Sequence, residues 1–372
     1  AAARRAGGAP AADALGAGGA AAAAEALPAW LRGAGVQWDE QAMEIRGSPL
    51  HGLGVFARRA IRKGEELATI PRSACLGADT CGLRRRLAGL VRDGTLDHEV
   101  ALVVAILYER RRASRSKWAG YFDCLRHDLP HSPQAWPAAE QALLGGSEAD
   151  CCDAAGWTCR AQQRRRAQAR SLWRGMRGLL ATLLPPGPPL AFGEFAAALY
   201  WGESRAFAAG GAEGEVLCPL ADAFNHSVAA DVGVCTRGRS GGPIAIVASR
   251  AVARGCELFN SYGPYGNAKL LADYGFCCAP NPHDAVVFRP ASLVRLAAGL
   301  LRLPPGDVRR AIRAKLRPWN FQSATAARAA TAGRKRRAAS SEGCSSAEES
   351  EGDGLRGFAV GADGRVPGTL RR

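Results

Sequence analysis

The stretch from residue 216 to residue 276 most constrains what this 372-residue chain can fold into. It contains two apolar, strand-like runs, within VLCPLADAFNHS and RGCELFNSYG, and each ends in polar residues that a soluble core does not bury without partners. An Asn-His pair follows the first run, and an Asn-Ser-Tyr-Gly run follows the second. A strand that ends in this way passes into a polar, turn-like segment. Either piece alone is typical of an ordinary turn or a core tyrosine, but the two in this order are much less expected by chance.

The sequence PLADAFNHS…ELFNSYGPYGNAKLLADYGF resembles the two C-terminal signature blocks of the SET domain, the fold of protein lysine methyltransferases that use S-adenosylmethionine. Within that superfamily it is similar to the Rubisco large-subunit lysine methyltransferase group. The resemblance covers about residues 27–320. It implies an α+β SET fold of small β-sheets with a knot-like cofactor pocket, a helical insertion, and a helical C-terminal substrate-binding module that is interrupted or partial.

Residues 48–57, SPLHGLGVFA, and the following AIRKGEELATIP predict a strand, a turn and a second strand. Glycines in such a hairpin usually mark a tight turn, although they also let a ligand approach the backbone closely. The third glycine of a dinucleotide fingerprint is missing. This segment resembles the first SET block, and the resemblance implies that His51, Gly52 and Leu53 contact the cofactor through backbone groups.

Composition and the resemblance together divide the chain into three parts. Residues 1–26 are Ala/Gly-rich and form either a disordered segment or an organelle transit peptide. The resemblance places the SET domain at 27–290, with the helical insertion at about 78–207. Residues 291–372 resemble the start of the group's helical C-terminal module, which a low-complexity segment at about 322–354 interrupts.

The resemblance also implies roles for polar residues of the two signature blocks. Asn225 offers its side-chain amide to the amine or carboxylate of S-adenosylmethionine, and His226 contacts the adenine ring largely through its backbone. Tyr262 is the catalytic candidate, with a hydroxyl that orients the substrate amine, because a phenol of pKa about 10 stays protonated at neutral pH. Asn267 begins the helix that closes the pocket and is a further cofactor-binding candidate.

Three residues are candidates for the substrate side of the pocket. Arg205 belongs to an SRAF-type motif and is expected near the substrate or the cofactor carboxylate. Tyr274 matches an aromatic wall of the lysine channel, where a ring can hold a methylated ammonium by roughly 0.5–2 kcal/mol of cation–π attraction. Asp222 either matches a substrate-side position or is a carboxylate bonded to loop amides.

Composition narrows the classes of partner. A net charge of +15, carried mostly by Arg, permits binding to nucleic acid, an anionic membrane or an acidic protein, and also fits a GC-rich coding sequence. No aromatic-interleaved basic stripe supports nucleic-acid recognition, and no run of about 18 apolar residues predicts a membrane span.

Twelve cysteines without a CxxC pair predict reduced thiols, an intracellular protein and no metal site. Cytoplasm, nucleus and chloroplast stay open as compartments.

Together these features predict a monomeric protein-lysine N-methyltransferase that uses S-adenosylmethionine. Its partner would be a protein substrate, such as the Rubisco large subunit, a ribosomal protein or a histone. Two alternatives stay open: a protein-histidine N-methyltransferase of the same group, and a SET fold kept as a protein-binding module without activity. Direct methyl transfer needs no metal and no covalent nucleophile, only a cofactor pocket and an amine held in line.

Overall fold

The computed structural model describes residues 17–50, 52–125, 133–145, 147, 149, 152–153, 156–157, 161–208, 214–238, 241–288, 290–308, 310 and 358–361. Its helices are α1 (Ala17–Gly33), α2 (Arg84–Arg92), α3 (His98–Arg111), α4 (Ala119–Leu125), α5 (Ala138–Ala142), α6 (Ala161–Leu183), α7 (Phe192–Arg205), α8 (Asn267–Tyr274) and α9 (Pro290–Leu301). Its strands are β1 (Gln37–Trp38), β2 (Met43–Gly47), β3 (Leu53–Ala57), β4 (Glu66–Ile70), β5 (Cys152–Asp153), β6 (Gly156–Trp157), β7 (Ala206–Ala208), β8 (Glu215–Leu217), β9 (Val232–Thr236), β10 (Ile244–Ala248), β11 (Glu257–Leu258), β12 (Ala285–Phe288) and β13 (Phe358–Gly361).

The chain divides into two compact units. The first unit comprises residues 1–130 and 169–263, and the second comprises 131–168 and 264–372. This division differs from the predicted domains, because the boundary falls after Gly263, inside the second signature block, instead of at 290. The predicted helical insertion is also split, since part of it groups with the second unit and contains the short strands β5 and β6.

Small antiparallel sheets form the scaffold of the first unit. A four-stranded sheet has the order β1-β4-β10-β9, a three-stranded sheet has the order β11-β3-β2, and β7 pairs with β8. The strands that the sequence predicted in residues 48–57 and 66–70 are β3 and β4, but they lie in different sheets, and β3 forms its hairpin with β2 instead of β4. With the helices around them, these sheets confirm the predicted α+β class.

Helices α3 and α7 pack together in the core of the first unit. The Asp97 side chain caps the start of α3 by accepting a hydrogen bond of 2.7 Å from the backbone of Val100, which satisfies an otherwise unpaired N–H. Side chains 101–107 of α3 are all buried, and Phe195 and Trp201 of α7 are buried as well. Such all-round burial is typical of a central helix, so α3 anchors the unit on which the site is built.

Helix α1 corrects the prediction for the N-terminal segment. It begins at Ala17, so residues 17–26, which were expected to be disordered, are helical. Ala23, Leu27 and Leu31 are buried at helical spacing on the side that packs against α4 and β2. Alanine has the strongest intrinsic helix propensity, and burial of this apolar face stabilises the helix further.

The second unit contains α5, α8, α9 and the two-stranded pairings β5-β6 and β12-β13. Helix α9 agrees with the predicted helix after residue 290, but β13 pairs antiparallel with β12 where only a helical module was expected. The predicted low-complexity segment at 322–354 lies outside the described residues. In the described part of the chain, no helix is long and apolar enough to cross a membrane.

Candidate active site

The polar ends of the two signature segments lie side by side in the first unit. His226 and Asn260 form a parallel β-bridge. The backbone N–H of Asn260 donates to the carbonyl of Asn225 at 2.9 Å, and the N–H of Ser227 donates to the carbonyl of Asn260 at 2.9 Å. The tertiary fold therefore brings together two segments that the sequence separates by a Gly-rich region.

A tight turn delivers the first segment to this crossing. Strand β8 ends at Leu217, and Leu220 then adopts φ 73° and ψ −48° before a single 3₁₀ turn over Ala221–Ala223. This backbone conformation is close to a classic γ-turn and is strained for a branched residue. The Leu220 side chain is fully buried, and its burial offsets part of the strain.

Asp231, which the sequence analysis did not single out, supports the second segment. Its buried carboxylate accepts a hydrogen bond of 2.9 Å from the backbone of Phe259 and pairs with the guanidinium of Arg250. Its own backbone N–H donates to the carbonyl of Phe259 at 2.7 Å. Asp231 thus holds the residue that precedes Asn260 in a defined position.

His226 orders Tyr262 through its imidazole ring. The backbone N–H of Tyr262 donates to His226 Nδ1 at 3.0 Å, and the two ring centroids are 5.2 Å apart. A ring nitrogen that accepts a hydrogen bond carries no proton, so this bond assigns the neutral tautomer with hydrogen on Nε2. The buried His226 therefore has a positioning role for its side chain, beside the predicted backbone contact with a ligand.

The hydroxyl of Tyr262 is a protonated donor at neutral pH. It donates to the carbonyl of Phe224 at 3.1 Å. Burial raises the pKa of Tyr262 to about 12, and the carboxylates of Asp222 and Glu257 contribute in the same direction, while Arg205 opposes them. A phenol with this pKa favours an orienting role over that of a general base, as the sequence analysis expected.

The raised pKa of Tyr262 predicts that Tyr262→Phe removes one tyrosine ionisation from the titration of the folded protein, at a pH near 12. The folded protein keeps this proton, whereas an unburied tyrosine releases it near pH 10. The contribution of Tyr262 to stability is therefore full below about pH 10 and is lost as the pH rises towards about 12. Ultraviolet titration of tyrosinate in wild type and variant should coincide up to about pH 10 and differ only above it. A difference at lower pH would contradict this assignment.

Asn225 links the crossing to the β2–β3 hairpin, whose turn contains Gly52. Its Nδ2 donates to the carbonyl of Leu53 at 3.1 Å and to Glu257 Oε1 at 2.7 Å. Both amide hydrogens are thereby used inside the protein. Among the residues that the structure describes, no donor reaches Oδ1 of Asn225, so this oxygen is the part of the amide that can accept a hydrogen bond from a ligand.

The hairpin presents an open backbone position next to Leu53. Gly52 has φ 62°, in the left-handed region, and a Cβ added there would meet nothing within 4 Å. Its carbonyl accepts a hydrogen bond of 2.9 Å from the backbone of Ser48, which closes the turn. Leu53 is partly buried, and His51 lies outside the described residues, so its predicted contact stays a prediction.

Arg205 and Asp222 form a buried ion pair in the same unit. Arg205 Nη1 lies 3.3 Å from Asp222 Oδ2 and donates to the Asp222 carbonyl at 3.2 Å, while Tyr121 Oη donates to Oδ2 at 2.6 Å. The Asp222 side chain is 5% exposed. Burial raises the pKa of Asp222, and the Arg205 charge opposes that shift. The carboxylate is therefore bonded to the side chains of Tyr121 and Arg205 and to its own backbone N–H, and its place on the substrate side stays a prediction.

Asn267 and Tyr274 lie in the second unit, so the structure does not group them with the residues above. Asn267 Nδ2 donates to Cys278 O and Asp284 Oδ2 at 2.9 and 2.8 Å, and its Oδ1 accepts from Cys278 N at 2.8 Å. The side chain thus anchors a loop, and a contact of Asn267 with the cofactor stays a prediction. Tyr274 stacks with Tyr265, with ring centroids 6.4 Å apart.

A family model described as the SET domain matches residues 52–263, more than half of the chain. The chain belongs to the SET domain family. The matched range includes Gly52 and β3, the Arg205–Asp222 pair and the crossing that ends in Tyr262. It ends where the first compact unit ends.

Curated relatives of this SET domain chain include protein lysine methyltransferases. The N-lysine methyltransferase SETD6 of Mus musculus is 28% identical over 271 residues, which cover 68% of this chain and 54% of that protein. The ribosomal lysine N-methyltransferase set10 of Schizosaccharomyces pombe is 37% identical over 76 residues, 20% of this chain and 14% of that protein. The SET domain chain thus spans about half the length of the mouse relative and a smaller part of the yeast one.

Solved structures confirm the predicted SET fold. The SET domain of LSMT bound to lysine and AdoHcy matches with a TM-score of 0.59 at 19% identity, covering 74% of this chain and 64% of that chain. Rubisco LSMT bound to AdoMet matches with a TM-score of 0.58 at 20% identity, covering 72% of this chain and 59% of that chain.

Sequence reasoning missed three residues that hold the site of this SET domain chain: Tyr121, Asp231 and Glu257. A weak signal existed for Glu257, because a carboxylate in a short apolar strand needs a partner. No local signal identifies which partner it takes. Tyr121 stood in a helical segment with other aromatic residues, where a core role was equally expected.

Proposed function

We propose that this SET domain chain is a protein-lysine N-methyltransferase that uses S-adenosylmethionine (AdoMet). The observation that carries the proposal is the crossing of residues 225–227 with residues 260–262, which joins Asn225, His226 and Tyr262 in one hydrogen-bonded cluster. The names of the relatives support a lysine side chain as the acceptor, and the AdoMet and AdoHcy complexes of the structural neighbours support the cofactor.

The residues of the first unit fit an amino acid-bearing cofactor. Asn225 Oδ1 can accept from an ammonium group, since both Nδ2 hydrogens are already used. Gly52 leaves open space where any other residue would place a Cβ, so a ligand can approach the backbone. His51, Gly52 and Leu53 would contribute backbone contacts, and His226 would do the same while its ring holds Tyr262. When bound, AdoMet supplies an electrophilic methyl group on a sulfonium.

Tyr262 would hold the substrate amine in line for transfer. Its hydroxyl hydrogen is directed to the Phe224 carbonyl, so its lone pairs can accept an N–H from the amine. This interaction turns the nitrogen lone pair towards the methyl group without removal of a proton by Tyr262. A lysine amine of pKa about 10.4 loses its proton more easily in a desolvated channel, because burial disfavours its charged form.

Arg205 and Asp222 would form a wall on the substrate side. Their charges compensate each other, so this wall can be rigid without leaving a lone buried charge. Tyr274 and Asn267 lie in the second unit, so their roles at the lysine stem and at the cofactor stay predictions from the resemblance. The partner would be a protein, and the mass of a methylated product and its fragments would separate a lysine acceptor from a histidine acceptor.

Replacement of Asn225 by Ala is expected to weaken AdoMet binding by about tenfold to 100-fold, since a hydrogen bond to a charged group contributes about 1.5–3 kcal/mol. Calorimetric titration of purified protein with AdoMet measures this loss. Ser227→Ala is the matched control, because in the described part of the chain the Ser227 hydroxyl accepts a hydrogen bond only from the nearby backbone of Ala229. Unchanged affinity in Asn225→Ala would overturn the pocket assignment, and no binding by folded wild-type protein would favour the protein-binding module.

A further inference from the structure

Glu257 lies at the centre of the hydrogen bonds that join the two halves of the proposed pocket. Strand β11 pairs antiparallel with β3, and Glu257 stands opposite Phe56. Its carboxylate reaches past Gly54, where an added Cβ would lie only 2.4 Å from Oε1. The absence of a side chain at Gly54 therefore makes room for the Glu257 carboxylate.

One carboxylate connects two segments that the proposed function assigns to the cofactor. Glu257 Oε2 accepts from Ser48 Oγ at 3.0 Å, and Oε1 accepts from Asn225 Nδ2 at 2.7 Å. Ser48 Oγ in turn accepts from the backbone of Leu50 at 3.1 Å. Loss of the carboxylate would release the turn at 48–52 and the Asn225 side chain together.

The chemistry of the partners selects one orientation of the Asn225 amide. An asparagine amide has nearly the same shape after a 180° flip that exchanges Oδ1 and Nδ2. Both oxygens of the Glu257 carboxylate and the carbonyl of Leu53 accept hydrogen bonds, so only Nδ2 can face them. Oδ1 is thereby left to accept from the ligand, as the ammonium group of an amino acid requires.

We infer that Glu257 is a positioning residue. It orients the Asn225 amide so that Oδ1 faces the cofactor, and it holds the turn at 48–52 beside the cofactor. This inference rests on the proposed function. It assigns to Glu257 no contact with the cofactor and no step in methyl transfer.

Glu257→Ala is expected to weaken AdoMet binding by about tenfold, with little change in turnover at saturating cofactor, because the contacts to the transferred methyl are untouched. Glu257→Gln is expected to lose no more than about threefold, since Gln can present an oxygen to Asn225 and an N–H to Ser48 Oγ. If Glu257→Gln bound AdoMet as weakly as Glu257→Ala, the negative charge of residue 257, and not the orientation of the Asn225 amide, would determine affinity, and the inference would be wrong.

Glu44 supplies the matched control. Glu44 lies on β2, the other neighbour of β3, where it stands opposite Phe56. It forms an exposed ion pair with Arg46 of the same strand. Glu44→Ala is expected to bind AdoMet as wild type does. An equal loss in Glu44→Ala and Glu257→Ala would show a general effect on the sheet and would overturn the positioning role.

Hydrogen exchange without any cofactor gives an independent readout. Glu257→Ala should speed amide exchange at residues 48–54 and 225–227 relative to wild type, while exchange in α3 stays unchanged. If Glu257→Ala showed the amide exchange rates and the AdoMet affinity of wild type, the inference about Glu257 would be overturned, while the proposed function would stand. Failure of wild-type protein to bind AdoMet would instead overturn the proposed function, and this inference with it.

Discussion

Tyr262→Phe is expected to lower methyl-transfer turnover by about 100-fold while AdoMet affinity changes by less than about threefold. The change removes only the hydroxyl, which donates to the Phe224 carbonyl and would orient the amine. The ring and the backbone N–H that bonds His226 Nδ1 remain, so the crossing of the two segments should stay intact. Single-turnover kinetics with a lysine-containing protein substrate and calorimetric titration measure the two quantities separately.

Tyr265→Phe is a suitable control for this prediction, because it also removes one tyrosine hydroxyl, three residues after Tyr262. The Tyr265 ring, which lies under the Lys269 ammonium, is kept. Its turnover should stay near the wild-type value. Full activity in Tyr262→Phe would mean that the hydroxyl has no part in orienting the amine. A joint collapse of turnover and cofactor affinity would indicate damage to the pocket instead.

Arg205→Ala is expected to destabilise the first unit by about 3–5 kcal/mol, because it leaves the Asp222 carboxylate in the interior without its counter-charge. Asp222 is 5% exposed and Arg205 is 17% exposed, so water cannot readily replace the lost partner. Tyr121 would still donate to the carboxylate, but a neutral donor does not balance a charge. Urea unfolding monitored by circular dichroism measures the loss.

A charge-removing double variant tests the cause of this loss. Arg205→Met combined with Asp222→Asn should recover much of the stability, since no buried charge is left unpaired. Arg32→Ala provides the contrast, because Arg32 and Glu40 are an exposed pair whose removal should leave the unfolding midpoint nearly unchanged. Equal losses in the single and double variants would show that packing, not charge, makes Arg205 important.

Local signals were sufficient to predict much of the first unit. Alternation in ELATI marks β4, and the apolar run of α3 lies in the segment that the sequence predicted to be helical. These features depend on neighbours in the chain, so a sequence can encode them directly. The start of α1 could not be predicted in this way, because an Ala/Gly-rich segment is equally compatible with a helix and with disorder until a buried face decides.

The strand at Phe358–Gly361 shows the same limit at a longer range. Its pairing with β12 joins residues that are far apart in the chain, and the intervening sequence carries no signal for the register. A helical continuation was the reasonable expectation from resemblance. Pairing between distant strands is decided by the global fold. Closing the long loop between them costs entropy, and local strand propensity does not specify the partner strand.

The sequence by itself determined the family and singled out Asn225, His226 and Tyr262 as candidates, because their residue types in two ordered blocks are rarely assembled by chance. Only the tertiary structure decided what those residues bond to. The carboxylate that faces Asn225 comes from a neighbouring strand, and the buried cluster around Asp222 draws its members from three separate segments. Hydrogen-bond direction depends on which donors and acceptors meet in space, and no local pattern specifies that.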